Sequence, residues 1–193
     1  YIIFYNPEYY FYNLVEIFKI WNGGISFHGG FIGVVLAIIY SSKTSRIPVM
    51  IFSDIISIVS PIGLFFGRMA NFVNGELFGR VTDHDFGIIF PKGGKLPRHP
   101  SQLYEAFFEG LILFLIMILL MKKSYFFDKK GFLTASFVFF YGIFRFFIEY
   151  FREPDGHIGL IYFNFSMGQI LSLPMIVLGL YFMIIFYNKK MDY

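Results

Sequence analysis

The chain has 193 residues, of which 56% are hydrophobic and only 15% are charged, and its formal net charge is +3. A typical soluble domain carries about a quarter charged residues, so this apolar excess is too large for one core and the bilayer is the expected solvent. The absence of cysteine excludes a disulfide framework, a thiolate metal site and a cysteine nucleophile within the chain. The small positive charge does not require a nucleic-acid partner, because the placement of the charges in loops explains it better.

The first segment, residues 1–24, is aromatic but carries Pro7, Glu16 and Lys19. This mixture predicts an interfacial segment with tyrosines at the level of the lipid headgroups. The chain begins at Tyr1 rather than Met, with no basic start before a short apolar run. We therefore expect a chain that lacks its natural N-terminus rather than one with a signal peptide.

The rest of the sequence predicts an all-α, polytopic transmembrane helical bundle that forms one integral membrane domain over 1–193. Helices are favoured because every backbone polar group must be satisfied within the lipid. About 20 helical residues cross a hydrocarbon core, so the first apolar stretch is short. Five stretches are apolar enough to span or nearly span: 25–40, 50–72, 103–121, 132–151 and 163–187.

The short loops predict the orientation of these spans. The segments "SSKTSRIP" (41–48), "KKSYFFDKK" (122–130) and "NKK" (188–190) share one side if the spans alternate, and they hold half of the 16 Lys and Arg residues. Positive charge in short loops marks the cytoplasmic side. The other side is expected to receive 1–24, the long loop 73–102 with its short elements, and 152–160.

Unusual polar residues then fall at one depth, near the outer ends of three spans. They are His28 in the first span, Arg68 and Asn71 in the second, and Arg145 and Glu149 in the fourth. Charged groups inside a membrane are costly and often mark functional sites. The spans therefore predict a polar site close to the outer face.

The fourth span places Tyr141, Arg145, Glu149 and Arg152 at helical spacings of four, four and three, on one face. A self-neutralising Arg145–Glu149 pair is the plain structural interpretation. It leaves Arg68 unexplained, because no carboxylate on the same helix lies within reach. Two guanidinium groups near the outer leaflet suit a phosphate, here a phospholipid headgroup, and the alternative for Arg68 is snorkelling to the interface.

Two further stretches are weaker signals. "GGISFHGGFIG" (23–33) surrounds His28 with glycines that allow a close backbone approach, although such glycines also serve helix packing. His28 is either a hydrogen-bonded core histidine or a base that works near neutral pH.

"PRHPSQLYEA" (97–106) leads into the third span. Ser101 is the expected N-cap, with Tyr104 and Glu105 in the first turn, and His99 is a lesser candidate. The start of a helix therefore explains much of this stretch, and no functional role is required.

A membrane carrier or channel is the main alternative to an enzyme, because intramembrane Arg, Glu and His also mark transport pathways. A pathway needs polar groups through the full thickness, whereas the inner halves of these spans are almost wholly apolar. Glu109, expected low in the third span, and Asp54, near the inner end of the second, are the exceptions.

Five motifs occur in order along the chain: "GGISFHGGFIGV", "GRMANFVNGELFGRVTD", "RHPSQLYEA", "FRFFIEYFREPD" and "SMGQILSLPM". Together they closely resemble the prolipoprotein diacylglyceryl transferase family of bacterial inner membranes over nearly the whole chain. Within the second motif, Met69 and Ala70 stand where the family often has Leu-Gly. The resemblance implies about seven spans, each of about 20 residues, so the first one or two are expected to be missing here.

The resemblance implies a multi-pass enzyme of the bacterial inner membrane whose active site lies near the outer, periplasmic face. Its reaction moves the diacylglyceryl group of phosphatidylglycerol onto the lipobox cysteine of a prolipoprotein signal peptide. A thioether forms and glycerol phosphate leaves. The implied partners are this lipid and this signal peptide, with no nucleic acid, no metal and no cofactor.

The same resemblance assigns the site residues. Arg68 matches the phosphatidylglycerol-binding arginine, and His28 is the first choice for the base. Arg145 is expected to stabilise the leaving group, or alternatively the thiolate. Glu149 and Glu76 are expected to orient the arginines, and Asn71 and Tyr141 to hydrogen-bond the glycerol moiety. The catalytic set is His28, Arg145, Glu149 and Glu76, and the lipid-binding set is Arg68, Asn71, Asn74, Gly79, Tyr141 and Arg152.

Overall fold

The computed structural model describes residues 7–14, 27–123, 128–154 and 165–189. Within these ranges the chain is helical, and extended pairing is limited to isolated bridges. The chain divides into two units, residues 1–52 and 53–193, each described here by itself. The helices are α1 (Pro7–Tyr12), α2 (Phe27–Ser45), α3 (Val49–Val73), α4 (Ser101–Lys122), α5 (Phe132–Ile148) and α6 (Met167–Asn188).

The prediction of an all-α membrane protein is confirmed. Three helices, α3, α4 and α6, are long and apolar enough to cross a membrane. The apolar part of α2 (Gly29–Ser45) and the whole of α5 are shorter. The 17 residues of α5 reach about 25 Å at 1.5 Å per residue, so this helix comes close to a span.

The first unit contains α1 and α2. Helix α2 ends where Arg46 takes a left-handed conformation with φ 57°, two residues before Pro48. A left-handed residue followed by proline is a common way to stop a helix. His28 is the second residue of α2, but its side chain lies outside the described part of the structure, as do most of the residues predicted to be interfacial.

The core of the second unit lies between α3, α4 and α5. Its buried members are Ile58, Leu113, Met117, Phe132 and Leu133. Large apolar side chains on the other faces stay exposed, as in α6, and these faces suit contact with lipid rather than water.

Small residues let α5 and α6 approach closely. A Cβ added at Gly179 would lie 2.6 Å from the backbone nitrogen of Phe139, and one at Gly142 would lie 3.1 Å from the Ile176 side chain. Small residues at such contacts allow membrane helices to pack backbone against backbone.

Polar groups close one end of the bundle. The Asp54 carboxylate on α3 accepts hydrogen bonds from the Gly131 and Thr134 backbone nitrogens at 2.7 and 2.8 Å, and from the Thr134 hydroxyl. It therefore caps the start of α5 from a neighbouring helix. Lys129 donates to the carbonyl oxygens of Tyr187 and Lys189 at the end of α6, where positive charge is favourable.

Two sequence predictions about helix boundaries are wrong. Helix α5 ends at Ile148 rather than at 151, so Arg152 lies beyond the helix in a bridge to Gly79. Ser101 is the first residue of α4 rather than its N-cap, and its hydroxyl donates to the Leu77 carbonyl at 3.2 Å. This hydroxyl is therefore hydrogen-bonded to the preceding loop rather than to the first turn of its own helix.

We expect Gly179→Ala to destabilise the protein by roughly 1–3 kcal/mol, because the new methyl group collides with the α5 backbone. Gly63→Ala on α3 is the matched control, since a Cβ there meets nothing within 4 Å. Replacing that glycine should be neutral or stabilising by up to about 1 kcal/mol. Thermal unfolding in detergent micelles would measure both, and equal midpoints would contradict the packing described for α5 and α6.

Candidate active site

One buried carboxylate gathers three guanidinium groups from three parts of the second unit. Glu105 on α4 has no exposed side-chain surface. Arg68 on α3 approaches its Oε2 at 2.6 Å. Arg145 on α5 and Arg152 beyond α5 each donate through Nη1 to its Oε1, at 3.1 and 3.2 Å. Glu105 therefore fixes the relative positions of all three arginines.

Two further carboxylates complete this polar cluster. Glu149 pairs with Nη2 of Arg145 at 2.9 Å, four residues away on the same side of the helix. Glu109 is fully buried and lies 3.7 Å from Arg145 and 3.8 Å from Arg68. Both Glu109 oxygens lack a hydrogen bond within the described residues. The cluster thus balances three guanidinium groups with three carboxylates.

The start of α6 shapes the site around Glu149. A Cβ added at Gly168 would lie 2.6 Å from the Glu149 carboxyl carbon, so the carboxylate fills the space that any side chain would need. Ser166 and Gln169 form a reciprocal capping box at the same helix start. A carboxylate at a helix N-terminus is stabilised by the helix dipole, which holds Glu149 in place to orient Arg145.

A π-helical segment, Ala106–Ile112, interrupts α4 directly after Glu105 and contains Glu109. Such segments are rare and are frequently found at functional sites. Within it, a Cβ at Gly110 would lie 2.7 Å from the Phe65 side chain on α3. This close approach of α3 and α4 brings Arg68 within reach of the carboxylates on α4.

The loop before α4 supports the cluster from the side of Arg152. Gly79 donates its N–H to the His99 carbonyl at 2.8 Å and pairs with Arg152, and a Cβ there would lie 2.4 Å from the Phe151 carbonyl oxygen. Arg80 donates to the Arg152 carbonyl at 2.9 Å. Close packing therefore explains why position 79 is a glycine, whether or not this residue contacts lipid.

The structure brings four of the predicted site residues into contact with the cluster: Arg68, Arg145, Glu149 and Arg152. Tyr141 lies one turn before Arg145, stacks on Phe137, and its hydroxyl makes no hydrogen bond to the described residues.

The other predicted residues lie apart from the arginines. Glu76 accepts a hydrogen bond at 3.3 Å from the Asn74 amide and has no arginine partner in the described ranges. The orienting contact predicted for Glu76 is made by Glu105 instead. The Asn71 side chain is half-buried and without a hydrogen bond to the described residues. The side chain of His28 lies outside them.

Sequence reasoning missed the roles of Glu105 and Glu109. Glu105 was explained as part of a helix start, and Glu109 was expected low in the third span, away from the arginines. A signal was present, because two carboxylates four residues apart in an apolar helix need cations from other helices. Arg68 and Arg145, which were already placed near the outer ends of their spans, supply these cations.

The cluster is rich in N–H donors. Among the described residues, no group of three His, Cys, Asp or Glu side chains is arranged to hold a metal. The side chains of Arg68, Arg145 and Arg152 keep 14–17% of their surface exposed, whereas Glu105 is wholly buried. Each guanidinium has five N–H donors, so each has donors that these ion pairs do not use.

The fold and the site define a helical integral membrane protein with a cluster of arginine and glutamate side chains among its apolar helices. The chain belongs to the prolipoprotein diacylglyceryl transferase family, whose profile matches residues 1–185. It is 48% identical over 190 residues to the phosphatidylglycerol–prolipoprotein diacylglyceryl transferase of Geobacter sulfurreducens, covering 98% of this chain and 72% of that relative.

Relatives with the same name occur in two other bacteria. The chain is 52% identical to the Rickettsia bellii protein over 184 residues, which covers 95% of this chain and 70% of the relative. It is 51% identical to the Wolbachia pipientis protein over 186 residues, with 93% and 69% covered.

We expect Glu105→Ala to cost roughly 3–5 kcal/mol of stability, because three partly buried guanidinium groups lose their common partner. Glu153→Ala is the control, since Glu153 pairs with Arg98 at 2.7 Å but is 46% exposed. An exposed pair contributes about 0–1 kcal/mol. Chemical unfolding in micelles would compare the two, and similar losses would show that Glu105 does not organise the site.

A second prediction concerns His99, which lies in the loop before α4. Burial, and then the nearby charge of His84, lower the pKa of His99 from its usual 6.5. The folded state therefore binds fewer protons than the unfolded state just below that pH. Stability should be full above pH 6.5 and fall as the pH drops through the folded-state pKa of His99.

His99→Gln should flatten this part of the stability–pH curve relative to the unmodified protein. His84→Gln is the comparison, because it removes only the smaller cause of the shift. Unfolding midpoints measured between pH 8 and 5 (about the range in which histidine titrates) test the idea. An unchanged slope after His99→Gln would refute it.

Proposed function

We propose that the protein transfers the diacylglyceryl group of phosphatidylglycerol to the lipobox cysteine of prolipoproteins and releases glycerol phosphate. The single observation that carries this proposal is the convergence of Arg68, Arg145 and Arg152 on buried Glu105. Membership of the family supports the reaction, and the names of the relatives support the two substrates.

The lipid phosphate binds to the guanidinium groups of Arg68 and Arg145. Their forked N–H donors match phosphate oxygens, and their charge persists at every physiological pH. Glu105 and Glu149 hold these groups in fixed positions, so little reorganisation is needed when the anion arrives. Arg152 adds a third donor group, and Asn71 and Tyr141 are assigned to hydrogen bonds with the glycerol moiety.

The reaction forms a carbon–sulfur bond and breaks a carbon–oxygen bond. The cysteine thiolate attacks the sp³ glyceryl carbon, and the electron pair of the broken bond goes to the phosphate oxygen. The leaving phosphate gains negative charge in the transition state, where Arg68 and Arg145 stabilise it most.

The thiol must lose its proton because the thiolate is the nucleophile. His28 remains the first choice from the sequence for the base that accepts this proton. Arg145 offers an alternative route, in which positive charge stabilises the thiolate directly.

The reaction takes place in the bacterial inner membrane near its outer face. The polar cluster lies toward one end of the helices, since Arg68 is five residues from the end of α3 and Glu105 is the fifth residue of α4. The lysine-rich loops lie at the opposite ends of the spans, and such loops mark the cytoplasmic side.

A transport pathway gains no support from the described residues. Asp54, the acidic residue expected near the inner end of α3, is saturated by hydrogen bonds from the start of α5. Glu109 belongs to the arginine cluster rather than to a second polar layer. Between these two sites lies the hydrophobic core cluster of the second unit, and the buried Ser136 hydroxyl there donates to the Phe132 carbonyl of its own helix.

We expect Arg68→Lys to lower the rate of transfer by at least about 10-fold, because lysine keeps the charge but loses the forked donors. Arg46→Lys is the control, since Arg46 is exposed and outside the cluster. The assay follows a labelled diacylglyceryl group onto a lipobox peptide, using the protein at its full natural length. Near-normal transfer by a well-folded Arg68→Lys protein would exclude the role given to this arginine.

A further inference from the structure

An apolar groove runs beside the polar cluster, between α3 and α4. It has a volume of about 170 Å³, and every residue that lines it is apolar. Ile62 and Leu111 at its edge are 40% and 42% exposed, so the groove opens sideways away from the core. The lining residues are Pro61, Ile62, Phe65, Gly110, Leu111 and Phe114.

The groove lies next to the arginine cluster along both helices. On α3, Phe65 lies three residues before Arg68 and shares its face. On α4, Gly110 directly follows Glu109, which lies 3.8 Å from Arg68. The contact between Gly110 and Phe65 forms the boundary at which the charged surface gives way to the apolar one.

The arginine cluster and the apolar groove lie at successive depths along α3 and α4. Pro61 is the central residue of α3, and Leu111 is the eleventh of the 22 residues of α4. Arg68 is seven residues from Pro61, which is about 10 Å along a helix. The charged groups thus lie toward the end of the helices, and the groove begins next to them and reaches the middle.

We propose that this groove holds an acyl chain of the phospholipid whose phosphate is bound by Arg68 and Arg145. A phospholipid has the same order of parts, with a charged head at the interface and hydrocarbon toward the bilayer centre. The inference rests on the proposed function only for the identity of the lipid. The groove would orient the glyceryl carbon by holding the chain on one side while the arginines hold the phosphate on the other.

Gly110 and Pro61 explain why the groove exists. Any side chain at Gly110 would collide with the α3 backbone at Phe65 and push the helices apart. Pro61 lacks an N–H and a long side chain, so it leaves room beside Gly110 among the residues that line the groove. The groove is therefore a consequence of the contact that also brings Arg68 to α4.

A crosslinking experiment tests the proposal without requiring transfer. The probe is phosphatidylglycerol with a photoactivatable diazirine in the middle of one acyl chain, and labelled peptides are identified by mass spectrometry. We expect labelling at Phe65 and Leu111, and we expect Arg68→Gln to reduce it several-fold. Labelling around Leu119, an exposed residue of α4 outside the groove, should not change.

Equal labelling of the groove before and after Arg68→Gln would show that it holds only bulk lipid, and would overturn the proposal. Because crosslinking does not require the transfer reaction, it tests the acyl-chain groove separately from the proposed function. Groove labelling that depends on Arg68 in a protein without transferase activity would refute the proposed function and leave the lipid groove standing.

A second variant tests the groove when transfer is measured. Leu111→Trp fills it, and Leu115→Trp, one turn later at 48% exposure and outside the lining, is the matched control. With a dioleoyl donor, Leu111→Trp should lower the rate by about 10-fold relative to the control, and a dibutanoyl donor should be affected by less than about 2-fold.

Equal losses with both donors would overturn the acyl-chain assignment. A change in discrimination between lipobox peptides of different hydrophobicity, with no change between donors, would overturn it as well. That result would assign the groove to the apolar part of the peptide.

Discussion

The contact of Glu105 with three guanidinium groups is the constraint on which the second unit depends. A fully buried carboxylate in an apolar helix is tolerable only with partners of opposite charge. Its partners come from α3, α5 and the segment after α5, so one residue determines how these elements are placed around α4. The same contact gathers the three arginines around one carboxylate.

The apolar packing follows from the need to bring these charges together. Gly110 allows α3 to touch α4, and Gly142 and Gly179 allow α5 to touch α6. Gly168 leaves room for the Glu149 carboxylate at the start of α6. At each of these positions a side chain would collide with a neighbouring backbone or charged group. The same glycines therefore allow the helices to pack and the charged cluster to form.

Hydropathy predicted the helices well, because the lipid solvent imposes length and apolar composition on any span. It also predicted that Arg68 and Arg145 lie at one depth, since their distance from the span ends can be read from the sequence. The partners could not be found in the same way, because ion pairs between helices depend on rotation and not on depth alone. Glu105 was assigned to a helix start for this reason. The direction of the Glu109 side chain could not be found from regular α-helical spacing either, because a π-helical segment changes the rotation of α4 there.

The balance of charge explains how such a cluster can serve an anionic lipid. Three guanidinium groups face three carboxylates, so the cationic and acidic side chains of the cluster are equal in number. Glu105 uses few of the N–H donors that three guanidinium groups offer. In the function that we propose, binding comes from fixed N–H directions in a poorly solvated place rather than from excess positive charge. Such a site favours an anion that fits those directions, and it stabilises further charge that develops on the same oxygens during bond breaking.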